Sequence, residues 1–88
     1  MSHPILAFEK KYMFGILLFV HERGGCTRME LYEGVANNDR MPDKLAVLEG
    51  QELIVQKEVP ITRAMRIDMT EKGEEFVRLI LEAESLLS

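Results

Sequence analysis

At 88 residues, 47% hydrophobic and 30% charged, the chain has the length of one small domain and the apolar content of a packed core, which excludes a second domain and intrinsic disorder. The net charge of −4 is unevenly spread: residues 1–36 and 37–66 are each neutral, and the whole deficit falls in residues 67–88, where Lys72 and Arg78 face Asp68, Glu71, Glu74, Glu75, Glu82 and Glu84. Acidity of this kind does not exclude nucleic acid as a partner, because the first three quarters of the chain are neutral.

A first helix is predicted at about Glu9 to His21, after a looser lead-in containing Pro4. Its apolar residues, Tyr12, Met13, Phe14, Ile16, Leu17, Leu18, Phe19 and Val20, cover nearly every face, as in a helix at the centre of a core. The run follows Lys10 and Lys11 and precedes Gly24-Gly25-Cys26, which superficially resembles a secretion signal. It is too short to span a bilayer, His21, Glu22 and Arg23 stand where small residues are needed, and Glu9 spoils the positive flank. The expected compartment is the cytoplasm, with no membrane partner, and a lone Cys26 that cannot form an internal disulfide agrees with a reducing environment. Gly24-Gly25 ends the helix by supplying positive backbone dihedrals.

Thr27-Arg28-Met29-Glu30 is a capping box, in which the threonine hydroxyl and the glutamate carboxylate each accept a hydrogen bond from an otherwise unpartnered backbone N–H. A second helix follows over about 27–35, burying Leu31 and Val35 with Tyr32 beside them, and Gly34 to Asn38 form a turn. Asn38 or Asp39 is expected to cap a third helix over about 39–51, where Pro42 in the first turn is tolerated because those N–H groups lack helical partners. Met41, Leu45 and Leu48 recur at helical spacing and face the core, leaving Arg40, Asp43, Lys44, Val47 and Gln51 on the opposite side.

Leu53-Ile54-Val55-Gln56-Lys57 is strand-like, and Pro60 interrupts the chain after it. A second strand alternates, with Met65, Ile67 and Met69 on one face and Ala64, Arg66 and Asp68 on the other. Together they form a two-stranded hairpin over about 53–69 with its tip at Glu58 to Thr62. Thr70 is the expected N-cap of a last helix over about 71–87, roughly 25 Å long at the standard rise. Phe76, Ile80, Ala83 and Leu87 make one apolar stripe on it, with Leu79 and Leu86 lying off that stripe.

Helix, turn, helix, hairpin and helix in this order specify an α+β, mostly α, winged helix-turn-helix: three helices, a two-stranded wing and a long C-terminal helix. The residues Leu45-x-x-Leu48-Glu49 leading to Leu53-Ile54, and Met69-Thr70-Glu71-Lys72-Gly73 closing the wing, resemble the MarR-type and PadR-type transcription regulators over roughly residues 9–88. Two positions depart from that pattern: Glu52 stands where a glycine usually precedes the hydrophobic pair opening the wing, and the third helix is less basic than is usual. The resemblance implies a transcriptional regulator that binds double-stranded DNA, with the third helix in the major groove. Asn38, Arg40, Asp43, Lys44, Val47 and Gln51 would then form the reading surface, Arg40 and Lys44 on phosphates or a guanine edge and Val47 on a thymine methyl. Arg63 and Arg66 on the wing would contact the backbone or minor groove. The other reading is a winged-helix module that binds protein through the same elements, with little or no DNA binding.

A domain this small buries only about 60–65% of its unfolded surface, and the last helix has more apolar positions than one such domain covers. A homodimer is expected, with Leu79, Ala83, Leu86 and Leu87 at the interface and help from Ile5, Leu6 and Phe8. The opposing arrangement packs both stripes within one chain. Cys26 lies before a helix N-terminus between Arg23 and Arg28, features that favour a thiolate, and it is either an oxidant sensor of the kind some MarR-type regulators carry or an unreactive loop cysteine. His3 and His21 match no zinc spacing with it, and Ser2, Ser85 and Ser88 lack the partners of a nucleophile. No enzyme activity, cofactor or metal is expected, and nothing marks a pocket for an effector.

Overall fold

The apolar run near the N-terminus becomes the helix around which the rest is assembled, but it starts later than its composition suggests. In a computed structural model, which describes residues 3–38 and 40–87, a 3₁₀ helix (Pro4–Glu9) precedes α1 (Met13–Arg23), β1 (Cys26–Thr27), α2 (Arg28–Gly34), α3 (Met41–Gly50), β2 (Ile54–Glu58), β3 (Met65–Met69) and α4 (Glu71–Ser85). The expected helix from about Glu9 is broken because Lys10 takes an extended backbone (φ −66°, ψ 144°) and Tyr12 a left-handed one (φ 72°). The kink turns the 3₁₀ helix back onto the body of the fold. There Phe8 is buried, its ring 5.3 Å from that of Phe14 and 5.1 Å from that of Phe76.

On α1 only Met13, Ile16, Leu17 and Val20 are fully enclosed, while Phe14 remains 39% exposed, so the helix is buried on one side rather than all round. The helix stops at the glycine pair: Gly24 (φ 67°) and Gly25 (φ 104°) are left-handed, and their N–H groups bond to the carbonyls of His21 (3.2 Å) and Val20 (3.0 Å). These are the two reversed bonds of a Schellman ending. The capping box at α2 is formed as expected, with the Glu30 N–H donating to Thr27 Oγ1 (3.1 Å) and the Thr27 N–H donating to Glu30 Oε1 (2.8 Å). Gly34 is the last residue of α2 rather than part of the turn, packed so closely under Phe19 that a Cβ there would overlap the ring.

The sheet has three strands in the order β1-β3-β2, all antiparallel, where a two-stranded hairpin is expected. The added strand is only two residues, with Cys26 opposite Ile67 and Thr27 opposite Arg66. Its cause is local: an N-cap residue is extended, and Thr27 (φ −87°, ψ 163°) therefore enters α2 already in strand geometry. β2 and β3 pair from Ile54 opposite Met69 to Glu58 opposite Met65, with Ile54 and Ile67 fully buried. Beyond them the Val59 N–H bonds to the Ala64 carbonyl (2.8 Å) and closes the wing loop.

α3 leaves the chain through a tight reversal at Glu52, whose φ is 63°. The Glu52 N–H bonds to the Glu49 carbonyl (2.9 Å) and the Leu53 N–H to the Leu48 carbonyl (3.1 Å). This is the conformation for which glycine is the usual choice, and it explains the physical demand at the position where the sequence departs from the pattern it resembles. Thr70 caps α4, its Oγ1 accepting from the Gly73 N–H (2.9 Å) and donating to the Glu52 carbonyl (2.6 Å). Gly73 then lies directly on the Leu53 carbonyl, leaving no room for a Cβ. α4 reaches the core through Val77, a position absent from the expected apolar stripe, and its residues from Leu81 to Ser85 are all exposed.

Candidate nucleic-acid interface

The face that α3 offers is set by the three residues it hides. Met41, Leu45 and Leu48 are fully buried, each contributing about 1.5–3 kcal/mol relative to exposure, and they fix the helix's rotation. Arg40, Asp43 and Val47 are thereby exposed, Lys44 is half-buried, and Gln51 is exposed just past the last turn. Asn38 organises the approach rather than capping the helix itself: its Oδ1 accepts from the Arg40 N–H (2.9 Å) and its carbonyl accepts from the Met41 N–H (3.2 Å). Arg40 occupies the N-cap position without a side-chain cap. The alternative cap, Asp39, lies outside the described residues.

A side-chain network holds this helix against its neighbours. Arg28, the first residue of α2, donates through Nε (2.9 Å) and Nη2 (2.7 Å) to Gln56 Oε1 on β2. Gln56 in turn donates through its backbone N–H (3.1 Å) and Nε2 (3.0 Å) to the two carboxylate oxygens of Glu49 in the last turn of α3. Three elements of the helix-turn-helix and the wing thus meet on one glutamine. Nothing in the spacing of these residues announces the network, because they are distant in sequence and individually ordinary.

The two wing arginines are separated by the structure. Arg63 is exposed in the loop, with φ 60° and its N–H bonded to the Val59 carbonyl (2.7 Å). Ile61 beside it is 93% exposed. Arg66 lies on the central strand, where Nε donates to Asp68 Oδ1 (3.2 Å) and Nη2 to the Gly24 carbonyl (3.3 Å). It braces the α1–β1 junction, and Arg63 is the cation placed at the wing tip.

Cys26 is 1% exposed on β1, and its thiol is pushed up from its ordinary value by burial first and by the Glu30 carboxylate second, outweighing Arg23 and Arg66. The expectation of a favoured thiolate is corrected: the chain around it closes into a sheet, and desolvation dominates the nearby arginines. His21 Nδ1 lies 2.9 Å from Glu74 Oε2 and links α1 to α4. Among the described residues no three His, Cys, Asp or Glu side chains gather as a metal site, and no helix is long and apolar enough to cross a membrane.

Ile5, Phe14, Phe76, Leu79, Ala83 and Leu87 line an open apolar groove of about 450 Å³ between the 3₁₀ helix, α1 and α4. Three of the four residues expected at a dimer interface, Leu79, Ala83 and Leu87, come together there, while Leu86 is 86% exposed beside it. Phe8, expected to assist an interface, is used inside the chain's own core.

No protein-family model matches the sequence, and no curated protein is significantly similar to it. Solved structures are similar in fold. A candidate transcriptional regulator of the MarR family from Porphyromonas gingivalis W83 superposes with a TM-score of 0.76 at 22% identity, over 92% of this chain and 81% of that one. A MarR-like transcriptional regulator from Thermotoga maritima gives 0.72 at 28% identity, over 99% of this chain but 64% of that one, so the present chain spans less than two thirds of its length. A transcriptional regulator from Clostridium thermocellum gives 0.71 at 18% identity, over 99% and 90% of the two chains. The fold is a MarR-like winged helix.

Proposed function

We propose that the protein is a DNA-binding transcriptional regulator that acts by occupying an operator as a homodimer, with no chemistry of its own and with the cytoplasm as its compartment. The observation that carries this reading is the outward face of α3, where Arg40, Lys44 and Val47 stand over a fully buried Met41, Leu45 and Leu48 beside an exposed wing arginine, Arg63. On a duplex, Arg40 and Lys44 supply donors to phosphate or guanine, Val47 meets a thymine methyl, Asp43 accepts from cytosine, and Asn38 and Gln51 flank the contact at the two ends of the helix. Arg63 contacts the backbone or minor groove, and Arg66 adds to it only by giving up its Asp68 bond.

The apolar groove supports the dimer. Leu79, Ala83, Leu86 and Leu87 of α4, packed against the same residues of a second copy, would set two reading helices about 34 Å apart, one turn of DNA. The neutral reading half and Asp43 on its face favour a second reading, a winged-helix module that binds a protein partner through α3 or the wing.

An amide-shift titration with a mixed-sequence duplex, at low and then raised salt, separates the two, since it detects even a dissociation constant of ~0.1 mM. Salt-sensitive shifts at residues 38–51 and 63–66 are expected. Their absence at concentrations several times that constant would turn the assignment to the protein-binding module.

A further inference from the structure

The kink between the 3₁₀ helix and α1 does more than bury Phe8. It brings Lys10 and Lys11 to one wall of an open cleft of about 350 Å³ whose other wall is α3, so that Lys10, Lys11, Arg40 and Lys44 line a single concavity floored by Met13. Asp43 is the one acid in that lining among the described residues. Several cations elsewhere are already engaged, Arg66 with Asp68, Arg78 with Glu75 and Glu82, and Arg28 with Gln56, while Arg63 and Lys57 are exposed at the wing. Among the described residues, none of the four cleft cations has a carboxylate oxygen within 4.0 Å.

Four positive side chains against the single acid Asp43 leave the cleft strongly positive in a chain whose net charge is −4, and their mutual repulsion is relieved when an anion enters. A concave, partly apolar wall also focuses their field outward. Lysine ammonium groups bind phosphate as point charges without demanding a fixed geometry, and the Ala7 and Met13 side chains between them carry no group that would read a base edge. We infer that this cleft seats the phosphate backbone of the DNA strand beside the bases read by α3, with Lys10 and Lys11 as backbone contacts that position the reading helix. The inference rests on the DNA-binding reading and extends the interface beyond the helix-turn-helix and wing to the N-terminal segment.

The test is fluorescence anisotropy of a labelled mixed-sequence duplex against the wild type, a K10Q/K11Q variant and R78Q, which removes a charge from the acidic helix α4. Both lysines are exposed, and an unchanged amide spectrum outside the cleft verifies the fold of the double variant. The slope of log affinity against log salt is expected to fall by about one per lysine removed, with about tenfold weaker binding per lysine near ~50 mM salt. R78Q should keep the wild-type slope. Wild-type binding with an unchanged slope in K10Q/K11Q overturns the cleft assignment and leaves the regulator reading intact. Absence of wild-type binding overturns both. Inorganic pyrophosphate shifting the amides of residues 10–13 and 40–44, with duplex binding insensitive to K10Q/K11Q, would mark a site for small anions and likewise overturn it.

Discussion

Glu52 and Gly73 sit on either side of the same junction and make opposite demands. Glu52 is held in the left-handed region at φ 63°, which costs an L-residue about 1 kcal/mol or more. Glu52→Gly keeps the carbonyl that Thr70 needs and should raise the unfolding free energy by about 0.5–1 kcal/mol in urea titration, the relieved strain exceeding the added flexibility of the unfolded chain. Gly73→Ala places a Cβ against the Leu53 carbonyl oxygen, a backbone atom that cannot swing aside, and should lower it by roughly 2–3 kcal/mol. Glu30 adds a pH term: the Thr27 backbone N–H, as the largest influence, holds its carboxyl below its ordinary value of 4.5. A depressed folded value means the capping box stabilises the fold above the unfolded pKa and is lost as pH falls through the folded one. Stability of the wild type should therefore decline below about pH 4.5, and Glu30→Gln should flatten part of that decline in acid unfolding curves.

Elements were legible where their cause is local. The glycine stop after α1, the Thr27–Glu30 box, the Met41, Leu45 and Leu48 stripe and the Thr70 cap all depend on neighbours within a turn or two, and each forms as its residues imply. What escaped is tertiary. α1 starts at Met13 because the lead-in folds back to pack Phe8 against Phe76 from the far end of the chain. β1 exists because a two-residue cap happens to lie beside β3. Lys10 and Lys11 meet Arg40 and Lys44 only after the lead-in folds back. The same applies to Gln56, whose side chain ties α2 and α3 to the wing. Gln56→Leu removes the acceptor for Arg28 and the side-chain donor for Glu49, leaving only the backbone N–H on that carboxylate, and should cost about 1–3 kcal/mol, since both charged partners lose a bond. Its amide shifts should move at the start of α2 and the end of α3, the two places the glutamine joins.

At the scale of the whole molecule, α4 carries both the excess negative charge and the largest unburied apolar stripe. The acidic helix α4 satisfies part of its own charge, Arg78 bonding to Glu75 and lying 3.2 Å from Glu82, while its apolar side continues past the core into the groove with Ile5 and Phe14. An apolar surface of this kind is what a second copy would cover in the proposed homodimer. Leu79, 49% exposed on the groove, is the residue to change, because its substitution spares the core residue Val77. Leu79→Glu puts a charge where two copies of α4 would meet and should convert a dimer into a monomer in sedimentation equilibrium without lowering helix content. Binding to a duplex with two half-sites should then weaken on the order of a hundredfold or more, as the second contact ceases to be intramolecular, while binding to a single half-site changes little. A wild type that sediments as one chain would remove the dimer from the mechanism and leave α3 to act as a single weak reader, for which the Lys10 and Lys11 contacts would carry a correspondingly larger share of the affinity.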